Sequence, residues 1–148
     1  LNLIWNEKIF MIQKTLKLNP FSSEFFMWID AGICIYRDIP PPSIPFPNIN
    51  ELIKLPKDKF IYSSSNPYND VNFKEGKYHL YHHISGTTYI LHKNIIDIFV
   101  ELYKEYLNLI DKNDIWTDQV LLTHIYKNNN SLFYKYSNGY GSIVSKLF

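Results

Sequence analysis

The chain has 148 residues, of which 46% are hydrophobic and 17% aromatic, so it can form one domain with a buried core. Its net charge is +1, and it lacks the clustered Lys and Arg residues that are typical of a nucleic-acid-binding protein. No apolar run reaches the roughly 18–20 residues that span a membrane. Because Leu1–Phe10 also lacks a signal-peptide pattern, we expect a cytoplasmic location without a transmembrane segment.

The single cysteine, Cys34, excludes an internal disulfide bond. It lies in an apolar run, which predicts a buried thiol.

The first part of the chain predicts a helix followed by a strand. In Trp5–Leu18 the apolar residues recur at spacings of three and four, Asn6 can cap the helix, and Pro20 follows its end. The run Phe25–Ile29 is short, aromatic and continuously apolar. Such a run is typical of a central strand that is buried on both faces. The strand therefore places Asp30 at its carboxyl end.

The middle of the chain predicts a proline-rich excursion and further strands. Residues 38–58 are expected to form an extended surface segment, with docking into an aromatic groove of a partner as the alternative. Phe60–Ser63 predicts the next strand. Tyr78–His83 and Thr87–His92 are also strand-like, and Ile84-Ser85-Gly86 separates them as a turn.

The last part of the chain predicts two helices and a strand. Asn94–Ile110 carries a wide apolar stripe, and Asn94 can cap it. Thr117 can cap a second helix over Asp118–Tyr126, and Leu132–Tyr136 follows as a strand. Because strands alternate with helices, the sequence predicts an α/β fold with a mixed or parallel sheet flanked by helices.

The strongest candidate for chemistry is the Asp30-Ala31-Gly32 segment at the end of the first strand. Open α/β sheets bind ligands at the carboxyl ends of their strands. A carboxylate there can hold Mg²⁺ or Mn²⁺, with phosphate oxygens and waters completing the coordination shell. Gly32 permits a ligand to approach the backbone closely. The alternative is an Asp-Gly turn that only ends the strand.

Two further segments are candidates. Asp118 and Gln119 begin a helix, where Asp118 can act as a base or bind an acceptor hydroxyl, and Gln119 can bind a sugar through its amide. The alternative is that Thr117 and Asp118 only stabilise the helix start. The turn Ser85-Gly86-Thr87 offers a surface of small residues to a sugar, unless it is a plain turn. Three aromatic side chains can stack on a sugar or base, with core packing as the alternative: Trp28, Trp116 and Tyr140.

The order of these segments resembles a known family. Asn19-Pro20-Phe21 and the following run from Phe25 to Gly32 resemble the HtrL/YibB-type family, and Ser85-Gly86-Thr87, the long helix and Asp118-Gln119 follow in the expected order. That family is similar to GT-A glycosyltransferases, in which a strand-ending Asp-x-Asp motif binds a metal ion and a nucleotide diphosphate. The resemblance implies one GT-A-like domain over residues 1–148, with the amino-terminal donor-binding part of the fold outside this chain.

The same resemblance implies a hexosyltransferase-like enzyme that transfers a sugar from a nucleotide-sugar to a glycan or other hydroxyl acceptor. Mn²⁺ or Mg²⁺ would be the cofactor, with Asp30 as the metal ligand, Asp30 and Gly32 at the donor, and Asp118 and Gln119 as catalytic residues. Gly32 stands in place of the second aspartate of the motif. The alternative is therefore a non-catalytic carbohydrate-binding or interaction protein on a degenerate transferase scaffold. Either way, we expect Asp30 and Asp118 to lie close together.

Overall fold

The computed structural model describes residues 1–33 and 35–148, so the prediction for the Cys34 thiol lies outside the described residues. The elements in chain order are α1 (Asn2–Asn6), α2 (Lys8–Leu18), β1 (Phe25–Ile29), α3 (Ile49–Leu52), β2 (Phe60–Ser64), β3 (Ile84–His92), α4 (Lys93–Leu109), α5 (Asp118–Asn129), β4 (Phe133–Asn138) and α6 (Ser142–Lys146). Across both described ranges, none of these helices is long and apolar enough to cross a lipid bilayer.

The strands form one mixed sheet in the order β1-β3-β2-β4. β3 is antiparallel to both of its neighbours, whereas β2 and β4 run parallel. Apolar clusters cover both faces of this sheet. On one face α2, α4 and α5 pack against residues such as Phe60 and Tyr89, and on the other face α6 packs near Ile61 and Ile90. The predicted α/β fold with a mixed sheet flanked by helices is confirmed.

The predicted central position of Phe25–Ile29 is wrong. β1 lies at the edge of the sheet and pairs with β3 alone among the described strands. Phe26 is buried, but Ile29 is 45% exposed. The segment is continuously apolar because Phe26 and Met27 each face one of the two apolar clusters. Cover on both faces makes a strand apolar whether it lies at the centre or at the edge.

The predicted turn between two strands is also wrong, since β3 runs through Ser85 and Gly86 without interruption. The residues Tyr78–His83 form no strand, and the carbonyl groups of the last two, His82 and His83, bind a neighbouring loop. The Ser65 amide donates to the carbonyl oxygen of His83 at 2.9 Å, and the Asn66 side chain donates to that of His82 at 2.8 Å.

Helix starts differ from the prediction in two places. The predicted helix Trp5–Leu18 is divided between α1 and α2, because Asn6 is buried and its amide donates to the Trp116 carbonyl oxygen instead of capping a helix. His92 rather than Asn94 caps α4, with its Nδ1 accepting a hydrogen bond from the Asn94 amide. Thr117 caps α5 as predicted, since its side chain accepts from the Val120 amide.

In the predicted proline-rich excursion, residues 37–46 are exposed, whereas Leu55 is buried in the smaller apolar cluster. The middle of the segment is attached to the body of the domain, because the Asn48 amide donates to the Leu147 carbonyl oxygen at 2.7 Å. The strand directions bring the carboxyl ends of β1, β2 and β4 and the start of β3 to the same end of the sheet. Asp30 therefore lies beside the beginning of β3, where the Asp30 amide donates to the Thr87 carbonyl oxygen.

Candidate functional site

Three charged side chains meet at this end of the sheet, where β1, β2 and β4 finish. The Lys8 ammonium lies 3.1 Å from Asp30 Oδ1 and 3.1 Å from Asp118 Oδ2. It also donates hydrogen bonds to Asp30 Oδ2 at 3.2 Å and to the Gly86 carbonyl oxygen at 3.0 Å. The contact with Asp118 is an ion pair without hydrogen-bond alignment. These contacts confirm the predicted proximity of Asp30 and Asp118, which share one counter-ion.

Each of these charges is placed by the end of a secondary-structure element. Asp30 directly follows β1, Asp118 is the first residue of α5, and Lys8 is the first residue of α2. The Thr117 cap fixes the start of α5, and Asp118 is favoured there by the positive end of the helix dipole. Lys8 is in the first turn of its helix, where a cation is unfavourable, so its two carboxylate partners offset that position.

Gly86 allows β3 and α5 to approach each other at this point. A Cβ atom at Gly86 would lie 2.5 Å from Asp118 Oδ2 and 2.8 Å from Gln119 Cγ. The Gly86 amide also donates to Gln119 Oε1 at 3.2 Å. The glycine is therefore used for contact within the protein, and the predicted role of Gly86 as an open surface for a sugar is corrected.

Ser85 and Thr87, the neighbours of this glycine, do not present a free surface either. Ser85 is fully buried, and its hydroxyl lies 2.7 Å from the Thr87 hydroxyl. The predicted substrate contact of Ser85 is corrected for the same reason as that of Gly86: the segment is inside a strand and covered by the start of α5. Thr87 is partly exposed and remains beside Asp30.

The cluster is open to solvent at one end only. The side chains of Lys8 and Asp118 are 9% and 6% exposed, whereas that of Asp30 is 32% exposed. Burial raises the pKa of Asp118 from 3.8 to about 6, and the positive charge of Lys8 opposes part of this rise. A ligand arriving from solvent therefore meets Asp30 first, with the other two charges behind it.

Trp28 connects the charged cluster to a cavity of about 460 Å³ beside α2 and β1. Its indole N–H donates to Asp30 Oδ1 at 2.6 Å, and the Lys8 ammonium lies 5.7 Å from the ring centroid. Trp28 and Ile29 line the cavity. The volume is within the range of about 300–1,000 Å³ that small-molecule sites occupy. The predicted stacking residue Trp28 thus lies between a cavity and the charged cluster.

The other predicted residues are distributed differently. Trp116 is 9% exposed and packs within the core near His124, so the predicted stacking on a sugar is corrected to core packing. Tyr140 is 54% exposed in the loop after β4, on the opposite side of the sheet from β1, and its hydroxyl lies 3.4 Å from His82 Nε2. The described atoms leave open space within 4 Å of a Cβ built on Gly32, so a ligand has room there.

Lys8 is the functional candidate that the sequence interpretation missed. It is buried together with Ile9 and Ile12 on the inner face of α2. A lysine four residues before Ile12 therefore interrupts an apolar stripe, since residues at this spacing share a helix face. That interruption was the available signal, because a buried lysine is expected to have a charged partner.

A comparison with protein-family models matches residues 1–143 to a family described as a bacterial protein of unknown function, HtrL_YibB. The chain belongs to the HtrL_YibB family. The resemblance predicted from the sequence is thereby confirmed, while the description of the HtrL_YibB family assigns no activity. No curated protein and no solved structure matched the chain.

The residues at the cluster do not fit a resident divalent cation of the kind that GT-A enzymes bind. Asp30 is the single carboxylate with an exposed face, Gly32 supplies no side-chain oxygen, and Asp118 is paired with Lys8. Within residues 1–33 and 35–148, no three His, Cys, Asp or Glu side chains are grouped so that they could hold a metal ion. Mn²⁺ or Mg²⁺ at Asp30 stays a prediction, and no chemical step is derived from it.

Proposed function

We propose that this member of the HtrL_YibB family is a glycosyltransferase that transfers a sugar from a nucleotide-sugar donor to the hydroxyl group of an acceptor. The observation that carries the proposal is the convergence of Asp30 and Asp118 on Lys8, at the end of the sheet where β1, β2 and β4 finish. Open α/β sheets bind ligands at the carboxyl ends of their strands. Placing two like-charged carboxylates beside each other, one of them largely buried, costs free energy, and functional sites are a common reason for such clusters.

In the proposed reaction, the acceptor oxygen forms a bond to the anomeric carbon of the donor sugar. The bond between that carbon and the diphosphate oxygen breaks, and the nucleoside diphosphate leaves with the bonding electrons. Asp118 accepts the proton from the acceptor hydroxyl. Its pKa of about 6 supports this role, because a general base works best when its pKa is near the operating pH. Lys8 holds the carboxylate in place and favours its ionised form.

The donor sugar lies on the open side of the cluster in this proposal. Asp30 is the exposed carboxylate, and Trp28 joins it to the adjacent cavity. The indole ring supplies an apolar wall for a sugar or base, and its N–H group keeps Asp30 oriented. Gln119 accepts a hydrogen bond from the Gly86 amide through its Oε1, and its side-chain N–H group is offered to a sugar hydroxyl.

A non-catalytic carbohydrate-binding protein is the second candidate, and one observation favours it. Asp118 is only 4% exposed, and its carboxylate already has a cationic partner. A base that is covered in this way does not reach an acceptor unless neighbouring side chains move. In that case the cluster would hold α2 and α5 against the sheet, and the binding surface would be Asp30, Trp28 and the cavity.

An assay of donor cleavage separates the two candidates. The protein is incubated with a panel of nucleotide-sugars, once with Mn²⁺ and once with a chelator, and released nucleoside diphosphate is measured over time. We expect release from at least one donor, and we expect Asp118→Asn to lose it. The control is Asp111→Asn, which changes an exposed aspartate in the loop before α5. Saturable binding of a donor without release by the wild-type protein would support the binding protein instead.

A further inference from the structure

We propose that Lys8 provides the resident positive charge of this site, in the position that the resemblance gives to a divalent cation, and prevents such a cation from binding to Asp30 and Asp118 together. The inference rests on the proposed function for its catalytic consequence, which is a transferase that needs no resident metal ion. The effect of Lys8 on cation binding by Asp30 and Asp118 can be measured without any sugar donor.

The first support is the environment of the ammonium group. Lys8 Nζ has oxygen atoms at 3.2 Å from Asp30, 3.1 Å from Asp118 and 3.0 Å from Gly86. An ammonium group carries three N–H donors, and hydrogen bonds to Asp30 and to the Gly86 carbonyl oxygen use two of them, while Asp118 is held by charge. Mg²⁺ requires oxygen ligands at about 2.0–2.1 Å. At the position of Lys8 Nζ the same oxygen atoms lie 3.0–3.2 Å away, which suits an ammonium group and is too far for coordination of Mg²⁺.

The second support is the balance of charge. Two ionised carboxylates and one ammonium leave a single negative charge, and an ammonium 3.1 Å from both carboxylates repels a divalent cation that would share them. A cation would have to displace Lys8. The lysine is 7% exposed and begins α2, and its ammonium lies near the Trp28 ring, so its position is fixed by packing as well as by charge.

The test is a titration of Mn²⁺ alone, with the free ion measured by electron paramagnetic resonance. Lys8→Met keeps the length and apolar stem of the side chain and removes its charge. We expect wild type to bind Mn²⁺ weakly and Lys8→Met to bind it about 10–100-fold more tightly, the range by which groups around a metal alter its affinity. Lys14→Met, which removes an exposed lysine from the same helix, is expected to behave as wild type.

The double variant Lys8→Met/Asp118→Asn shows whether the new affinity belongs to this cluster, and we expect it to lose that affinity. Equal Mn²⁺ affinity in wild type and Lys8→Met would overturn the inference. If the single variant Lys8→Met binds no Mn²⁺, the inference is also overturned, because a group other than Lys8 then excludes the cation. Since no donor is present, a lack of transferase activity leaves each of these results unchanged.

A second measurement needs only the wild-type protein, in case Lys8→Met does not fold. The chain has three tryptophans, and only the Trp28 indole N–H donates to Asp30. Mn²⁺ bound at Asp30 would broaden the nuclear magnetic resonance signal of that indole proton more than those of Trp5 and Trp116. We expect no selective broadening at an equimolar concentration of Mn²⁺. Selective loss of the Trp28 signal would contradict the inference.

Discussion

At the scale of single residues, Asp118 is subject to two opposing effects. Burial disfavours its charged form and raises its pKa to about 6, while Lys8 favours the charged form. The net result is a carboxyl group that binds a proton more tightly in the native protein than in the unfolded chain, where an aspartate has a pKa of about 3.9. This difference links the stability of the fold to pH.

The expected consequence is a loss of stability as the pH rises through the pKa of Asp118. Its contribution is fully present below about pH 4 and is lost above about pH 6, and a shift of two units corresponds to about 3 kcal/mol. Urea unfolding at a series of pH values measures this slope. Asp118→Asn should remove it and Asp111→Asn should retain it. The same slope in wild type and Asp118→Asn would show that Asp118 has an ordinary pKa.

Gly86 and Gly32 form a matched pair for a second residue-scale prediction. Gly86→Ala places a methyl group 2.5 Å from Asp118 Oδ2, which should lower the free energy of unfolding by about 1–3 kcal/mol through overpacking. Gly32→Ala places the same group where the described residues leave open space, so it should leave stability nearly unchanged. Thermal and urea unfolding of both variants check this. Equal stability of the two would mean that α5 does not pack on β3 as described.

At the scale of elements, the start of α4 depends on the protonation state of one side chain. His92 is 1% exposed, and its Nδ1 accepts a hydrogen bond from the Asn94 amide at 3.2 Å. Burial lowers the pKa of His92, so the native state disfavours the protonated ring. Protonation would turn the acceptor into a donor and break the cap.

This cap should therefore stabilise the protein above about pH 6.5, the pKa of an unfolded histidine, and be lost as the pH falls through the lower native pKa. The cap is worth about 1 kcal/mol. His92→Asn replaces it with a cap residue that does not titrate, so the variant should lose less stability than wild type between pH 7 and pH 5. Parallel pH profiles of urea unfolding for the two proteins would show that His92 does not act through its protonation.

The elements also show which parts of the fold the sequence could predict. The helices α4 and α5 follow from apolar periodicity and from a polar cap, and both signals are local. The position of β1 at the edge does not follow, because Phe25–Ile29 is apolar wherever both faces are covered. The extent of β3 does not follow either, since Gly86 serves a contact with α5 that is distant in sequence.

At the scale of the whole molecule, the edge position of β1 has a measurable effect on backbone protection. β2 is paired on both sides, whereas β1 pairs with β3 only among the described strands. Alternate amides of an antiparallel edge strand point away from their partner. Hydrogen exchange should therefore be fast at alternate residues of Phe25–Ile29 and slow throughout Phe60–Ser64. Uniform protection of Phe25–Ile29 would show that another segment or molecule covers this edge.

Two of the three charged residues of the site could be predicted from the sequence, and the third could not. Asp30 and Asp118 were found because each stands at the end of an element and because the family resemblance marks both. Lys8 was missed because its partners lie far along the chain, at the end of β1 and the start of α5. Spacing within a segment reports neighbours on that segment, whereas an ion pair between elements depends on the complete fold.

The central claim is that the cluster of Lys8, Asp30 and Asp118 carries out sugar transfer. The most direct measurement is the rate of nucleoside diphosphate release from the preferred donor by wild type, Asp118→Asn and the control Asp111→Asn. A general base contributes about 10²–10⁴-fold to a rate, so kcat should fall by about that factor in Asp118→Asn while the control keeps the wild-type value. A kcat in folded Asp118→Asn that equals that of wild type would contradict the claim.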